Sequence, residues 1–133
     1  MSNVPSELRY TREHEWARLE SDGSITVGVT DYAQDQLGDI VFLDLPDVGD
    51  SVTGGEPLGE IESTKSVSDI YSPVTGTVSE VNLEARENPA VINQDPYGEG
   101  WMLRLTPDDP AEYDGLLTPE EYERLTAEEE GES

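Results

Sequence analysis

A chain of 133 residues has the length of one compact domain with its own core and is short for two. Thirty-one acidic residues against seven basic ones leave a formal charge of −24, which repels nucleic-acid phosphates and anionic lipid surfaces, so neither nucleic acid nor membrane is an expected partner. There is no cysteine, so disulfide frameworks, thiolate metal sites and cysteine nucleophiles are excluded.

Self-repulsion at this charge is relieved by salt, because the screening length falls to about 3 Å at 1 M, and the expected home is a salt-loaded cytoplasm. The opening Met1-Ser2-Asn3-Val4-Pro5 has no basic region followed by an apolar stretch. No segment approaches the roughly 20 apolar residues of a membrane span. Both points favour an intracellular chain, and its charge favours a monomer. The basic residues are Arg9, Arg12, Arg18, Arg86, Arg104, Arg124 and a single lysine, Lys65. A chain that has nearly eliminated the amine side chain has kept one.

Apolar residues make up only 34% of the chain, yet they gather into short alternating runs, which predicts a mainly β fold. Between Leu8 and Leu19, Tyr10 and Trp16 anchor an opening strand or two. Ser21-Asp22-Gly23-Ser24 is a turn, and Ile25, Val27 and Val29 alternate with Thr26 and Gly28 as in a half-buried strand. Asp31 to Leu37 reads as a short helix capped by Asp31, with Gln34 three residues on and Gly38 closing it. Ile40-Val41-Phe42-Leu43-Asp44-Leu45, the most apolar run, is placed at the core. Val52 precedes a Gly54-Gly55 turn. Strands are then predicted at Pro57 to Glu62, Val67 to Tyr71 and Thr77 to Val81, with a tight reversal at Ser72 to Gly76. Spacing this even suggests a small sandwich or flattened barrel. Asn82 to Asn93, interrupted by Pro89, reads as a loop with a helical turn. Trp101 to Leu105 is a closing strand with Trp101, Leu103 and Leu105 on one face. Asp109-Pro110-Ala111-Glu112 and Thr118-Pro119-Glu120-Glu121 each start a short helix. Glu128 to Ser133 is too charged to pack and is expected to fray.

The chemistry centres on Lys65. A nucleophilic amine at the tip of a tight hairpin is held away from the body of the protein on a support firm enough for a modifying enzyme to find. Small polar residues surround it in Glu62-Ser63-Thr64-Lys65-Ser66-Val67-Ser68-Asp69. On composition alone, the alternative of an ordinary surface lysine in a turn stays open. His14, the only histidine, has no nucleophile arrangement around it and no partners for a zinc site, so it reads as a structural or cleft-edge residue. Gly54-Gly55 is not followed by the Gly-Lys-Ser or Gly-Lys-Thr of a phosphate loop.

The string from Glu62 through Lys65 to Ser72-Pro73-Val74-Thr75-Gly76 closely resembles the lipoylation segment of the H proteins of the glycine cleavage system. Three further blocks resemble the same family in the same order. They are Leu8 to Trp16, Val27 to Gln34 continuing through Leu37 to Phe42, and Asn93-Gln94-Asp95-Pro96-Tyr97-Gly98 with Gly100-Trp101. This resemblance implies a lipoyl-type barrel-sandwich hybrid with short helices, including a C-terminal helical segment. Residues 1–106 would form the lipoyl-carrier domain with its core at about 24–106, and 107–133 an acidic helical segment packed on it with a frayed end. It implies lipoate in amide linkage on Lys65 and a carrier rather than a catalyst. The implied partners are a pyridoxal-phosphate glycine decarboxylase, a tetrahydrofolate-dependent aminomethyltransferase, a dihydrolipoamide dehydrogenase, and a lipoate ligase or lipoyl transferase.

Glu62 is a candidate for ligase recognition. Glu15 and Asp69 match positions of a cleft that would shelter the loaded arm, where acidic side chains suit an aminomethyl cation. The alternative for Glu15 is a place in a solvated acidic face. Glu13 and Gln36 stand where some family members have serine and histidine. A lipoyl or biotin carrier domain of another multienzyme complex is the competing reading. Biotin domains typically flank the lysine with methionines, and here Thr64 and Ser66 stand there. A binding module that leaves Lys65 bare is the alternative from another class.

Overall fold

The computed structural model describes residues 4–131; the expectations for Met1 to Asn3 and for a fray at Glu132 and Ser133 lie outside it. In chain order the described residues form β1 (Arg9–Tyr10), β2 (Glu15–Leu19), β3 (Ile25–Val29), α1 (Asp31–Leu37), β4 (Ile40–Asp44), β5 (Ser51–Val52) and β6 (Pro57–Ser63). There follow β7 (Val67–Tyr71), β8 (Gly76–Val81), α2 (Leu83–Glu87), α3 (Ala90–Gln94), β9 (Leu103–Pro107), a 3-10 turn at Pro110–Gly115, and α4 (Pro119–Gly131). The strands make a six-stranded sheet ordered β1-β2-β3-β9-β8-β5 and a three-stranded sheet ordered β4-β6-β7. Every pairing is antiparallel.

One apolar cluster joins the two sheets. Ile25, Val27, Leu103 and Leu105 come from the larger sheet, and Leu43, Ile61 and Ile70 from the smaller. Burying such side chains contributes roughly 1.5–3 kcal/mol each, which is what a chain with few apolar residues must rely on. The strand at Ile25–Val29 is more deeply placed than its alternation predicts, since all five residues are buried. Thr26 tolerates this because its hydroxyl donates to Glu20 and accepts from Arg104 Nε at 2.9 Å.

The run Ile40 to Leu45 corrects the expectation of a wholly buried strand. Its register against β6 shifts between Ile40 and Phe42, so Ile40, Leu43 and Leu45 turn inward while Val41 and Phe42 are about half exposed. Helix α1 has the predicted bounds but a different cap. Thr30, in extended conformation, accepts from the Ala33 amide, and the Asp31 carboxylate instead accepts from Gln34 Nε2 at 2.8 Å. The predicted loop at Asn82 to Asn93 is two helices split at Pro89. The closing strand begins at Leu103, and Trp101 lies half-buried before it with the Arg104 guanidinium 4.8 Å from its ring centroid.

The tail also departs from expectation. Asp109 caps a 3-10 turn rather than an α-helix. Thr118 and Glu121 form the predicted capping box, each accepting from the other's amide. Glu128 and Glu129, expected to fray, lie within α4, which runs to Gly131. Tyr122 fastens this helix by stacking on Tyr10 at 4.6 Å, and Leu8 and Trp16 complete the second apolar cluster. His14 adds a polar clasp. Its backbone has φ +76°, Nε2 lies 2.9 Å from the Glu129 carboxylate, and Nδ1 lies 2.8 Å from the Tyr122 hydroxyl. The carboxylate can only accept, so Nε2 carries the proton there. His14 is a structural residue of α4 docking.

Candidate functional site

Strands β6 and β7 form the hairpin predicted around Lys65, with Glu62 opposite Val67 as the last registered pair. The turn closes on one side chain. Ser63 is nearly fully buried, its amide donates to the Ser66 carbonyl at 2.8 Å, and its hydroxyl oxygen accepts from the amides of Lys65 and Ser66 at 3.3 and 3.1 Å. A serine hydroxyl that takes up two amides otherwise left to water stiffens a short turn. Lys65 is exposed, and among the described residues its ammonium makes no hydrogen bond or ion pair.

The turn leans on the α1–β4 connection. The Thr64 amide donates to the Asp39 carbonyl at 3.1 Å. Beside it, a β-carbon placed on Gly38 would lie 3.4 Å from Lys65 Cε and 4.0 Å from Nζ, so the stem of the lysine passes over this glycine. Gly38 has φ +82° and ψ −155°, a conformation essentially restricted to glycine. The lysine therefore leaves the hairpin along a bare stretch of backbone. An exposed, unpaired primary amine on a closed turn is sterically suited to acylation, so the geometry accommodates a group in amide linkage.

Glu62 is exposed on the same outer row as Phe42 and Val67, three positions before the lysine. Asp69 is exposed further along β7, in a row with Glu60 and Asp44. Glu15 is elsewhere. It is 1% exposed, which rules out a solvated acidic face. Its carboxyl accepts from the Thr11 hydroxyl and from the Tyr71 amide at 3.0 Å. Burial without a cationic partner pushes its pKa up to about 7, against the opposing pull of those hydrogen bonds. The two carboxylates are thus linked through β7, because Glu15 grips the strand two residues beyond Asp69. Thr11 and Tyr71 also line a depression of about 250 Å³ with Glu13, Pro73 and Leu116. Gln36 is exposed on α1. No cluster able to hold a metal ion occurs among the described residues, and no helix among them is long and apolar enough to cross a membrane.

A family profile described as glycine cleavage H-protein matches residues 8–129. The chain belongs to the glycine cleavage H-protein family. A glycine cleavage system H protein of Rubrobacter xylanophilus is 57% identical over 130 residues, covering 98% of this chain and all of that one. One from Psychrobacter cryohalolentis is 54% identical over 123 residues, covering 92% and 98%. The crystal structure of a glycine cleavage system H protein from Mycobacterium marinum superposes with a TM-score of 0.87 at 42% identity, covering 93% of this chain and 99% of that one. The two-sheet architecture with its C-terminal helix is the lipoyl-type barrel-sandwich fold of this family. The chain is accordingly a lipoyl carrier of the glycine cleavage system, not itself a catalyst, and its cofactor is lipoate held covalently on a lysine.

Sequence reasoning missed Asn93 and the part played by Gly38. Asn93 opens a block read for its family resemblance. Its three side-chain partners lie 53 to 59 positions away, where no local pattern could indicate them.

Proposed function

We propose that Lys65 is the lipoyl attachment point and that the chain carries the aminomethyl group of glycine from a pyridoxal-phosphate decarboxylase to a tetrahydrofolate-dependent aminomethyltransferase. A dihydrolipoamide dehydrogenase restores the oxidised arm, and a lipoate ligase or lipoyl transferase installs it. One observation carries the assignment: the sole lysine of the sequence stands exposed and unpaired at the tip of a closed hairpin. When bound, lipoate supplies a dithiolane whose sulfur takes up the one-carbon amine. The protein's part is to hold that group at a fixed origin and raise its local concentration for each enzyme in turn.

In this reading Glu62, exposed beside the lysine, is the ligase's point of recognition. Asp69 offers a carboxylate to the aminomethyl cation from the exposed side of β7, and Glu15 serves from beneath through Tyr71. Residues 1–106 are the carrier unit with its core at about 24–106, and 107–133 brace it. The Tyr10–Tyr122 stack and the reciprocal backbone bonds of Tyr10 and Leu117 support that division. The charge of −24 supports a salt-adapted, cytoplasmic monomer.

Lys65→Arg tests the assignment. Arginine keeps the charge but supplies no acylable amine. Intact mass after incubation with lipoate, ATP and a lipoate ligase is expected to show one lipoyl group on the unaltered chain and none on the variant. Glycine cleavage in the reconstituted system is expected to vanish with it. Modification or activity persisting in Lys65→Arg would refute the attachment point. A rate unchanged in Glu62→Gln would return Glu62 to the ordinary surface.

A further inference from the structure

We infer that Asn93 is a positioning residue for Lys65, acting through the α1–β4 connection on which the lysine turn rests; the inference depends on Lys65 being the lipoylated residue. The Asn93 amide is used at both ends. Its oxygen accepts from the Ile40 amide at 2.9 Å, and its nitrogen donates to the Gly38 carbonyl and to Gln34 Oε1, each at 2.9 Å. Gly38 and Ile40 bracket Asp39, so one side chain on α3 holds the backbone on both sides of Asp39, across the two-residue connection and into the first residue of β4. Asp39 then accepts from the Thr64 amide, and Gly38 lies beneath the Lys65 stem.

Hydrogen bonds thus tie Asn93 to the connection and the connection to the residue before Lys65, while the lysine stem passes over Gly38. Only a side chain with a donor and an acceptor at its end satisfies them. Aspartate has the same size but presents oxygen to two oxygens, Gly38 O and Gln34 Oε1, and the connection must shift to separate them. Gln34 is itself committed, with its amide nitrogen donating to Asp31, so it cannot reverse to meet an aspartate without abandoning that bond. The expected result is a turn still present but wrongly aimed. The outward strand residues that a modifying enzyme would grip, Glu62 and Val67, are untouched, so misaiming lowers the rate of acyl transfer more than it weakens docking.

The test uses the full unmodified chain, Asn93→Asp and Asn93→Ala, the alanine removing all three bonds without adding a charge. Lipoylation by a lipoate ligase with lipoate and ATP is followed by intact mass. Amide hydrogen exchange is read at Thr64 and at the core residues Val27 and Leu103, and Lys65 is also reacted with a small amine-reactive ester. The expected pattern is a fall of about tenfold in kcat/KM carried by kcat, consistent with the sensitivity of transfer to small misplacement. It includes faster exchange at Thr64, unchanged exchange at Val27 and Leu103, and unchanged reaction with the ester. Lipoylation at the original rate in both variants would overturn the role. So would core exchange accelerating in step with Thr64, because the loss would then be general unfolding. If the unaltered chain takes no lipoyl group at Lys65, the carrier assignment fails, a result distinct from either of these.

Discussion

Trp16 and Gly28 face each other across the β2–β3 ladder, and the indole occupies the space that a side chain on the glycine would need. A β-carbon at Gly28 would fall 2.6 Å from three atoms of the ring. The ring cannot back away, since it is fully buried and its nitrogen donates to the Pro96 carbonyl at 3.0 Å. Gly28→Ala is therefore expected to destabilise the fold by about 1–3 kcal/mol, the usual cost of overpacking a close-packed core. Urea denaturation followed by tryptophan fluorescence measures it, and an unchanged midpoint would show that the indole is free to move.

Glu15 makes stability depend on pH in an identifiable window. Its pKa is raised from the ordinary 4.5 to about 7 by burial, so below the unfolded value it is protonated in both states and its favourable contribution is fully present. As pH rises from 4.5, the unfolded chain loses the proton first, and stability falls until the folded pKa near 7 is passed. The total is about 3 kcal/mol by linkage. Glu15→Gln keeps an acceptor for the Tyr71 amide and removes the charge. The variant is expected to match the parent near pH 4 and to exceed it in stability at pH 8. The same decline in both proteins across that interval would assign the effect to other groups.

The acid excess predicts a second environmental dependence. The ion pairs Arg18–Glu20 and Arg104–Glu80, at 2.8 and 2.7 Å, leave most carboxylates without a cation. Between 0.1 and 1 M potassium chloride the screening length falls from about 10 to about 3 Å. Relief of about 1–2 kcal/mol of repulsion would raise Tm by roughly 4–8 °C in a domain of this size. A flat or falling Tm would show that the charges are compensated within the fold and remove the ground for a salt-loaded cytoplasm.

Much of the fold was legible where the signal is local. The bounds of α1, the hairpin around Lys65 and the Thr118 capping box each follow from residues within a few positions of one another. What failed depends on geometry that a string does not carry. Val41 and Phe42 read as core because a continuous apolar run suggests burial on both faces. In the structure, one face of the three-stranded sheet is open and a register shift turns both residues outward. The family resemblance singles out Glu15 as a cleft position, with a solvated acidic face as the alternative, and only the arrangement of Thr11 and Tyr71 around it shows that it is buried and held. The distant partners of Asn93 were invisible for the same reason. Lys65, by contrast, was conspicuous because every other lysine is absent.

The Ser63 closure of the lysine turn bears on how far a tethered group can wander. Had the turn been an open loop, its backbone would have added its own wandering to that of the side chain, and the cargo would have been diluted through a larger sphere. With three backbone bonds drawn onto Ser63 and one more from Thr64 to Asp39, the pivot sits in the side chain itself. With the arm on Lys65 as proposed, the leash is short and its anchor is still, so a given arm length is converted into a high encounter frequency with whichever enzyme has docked.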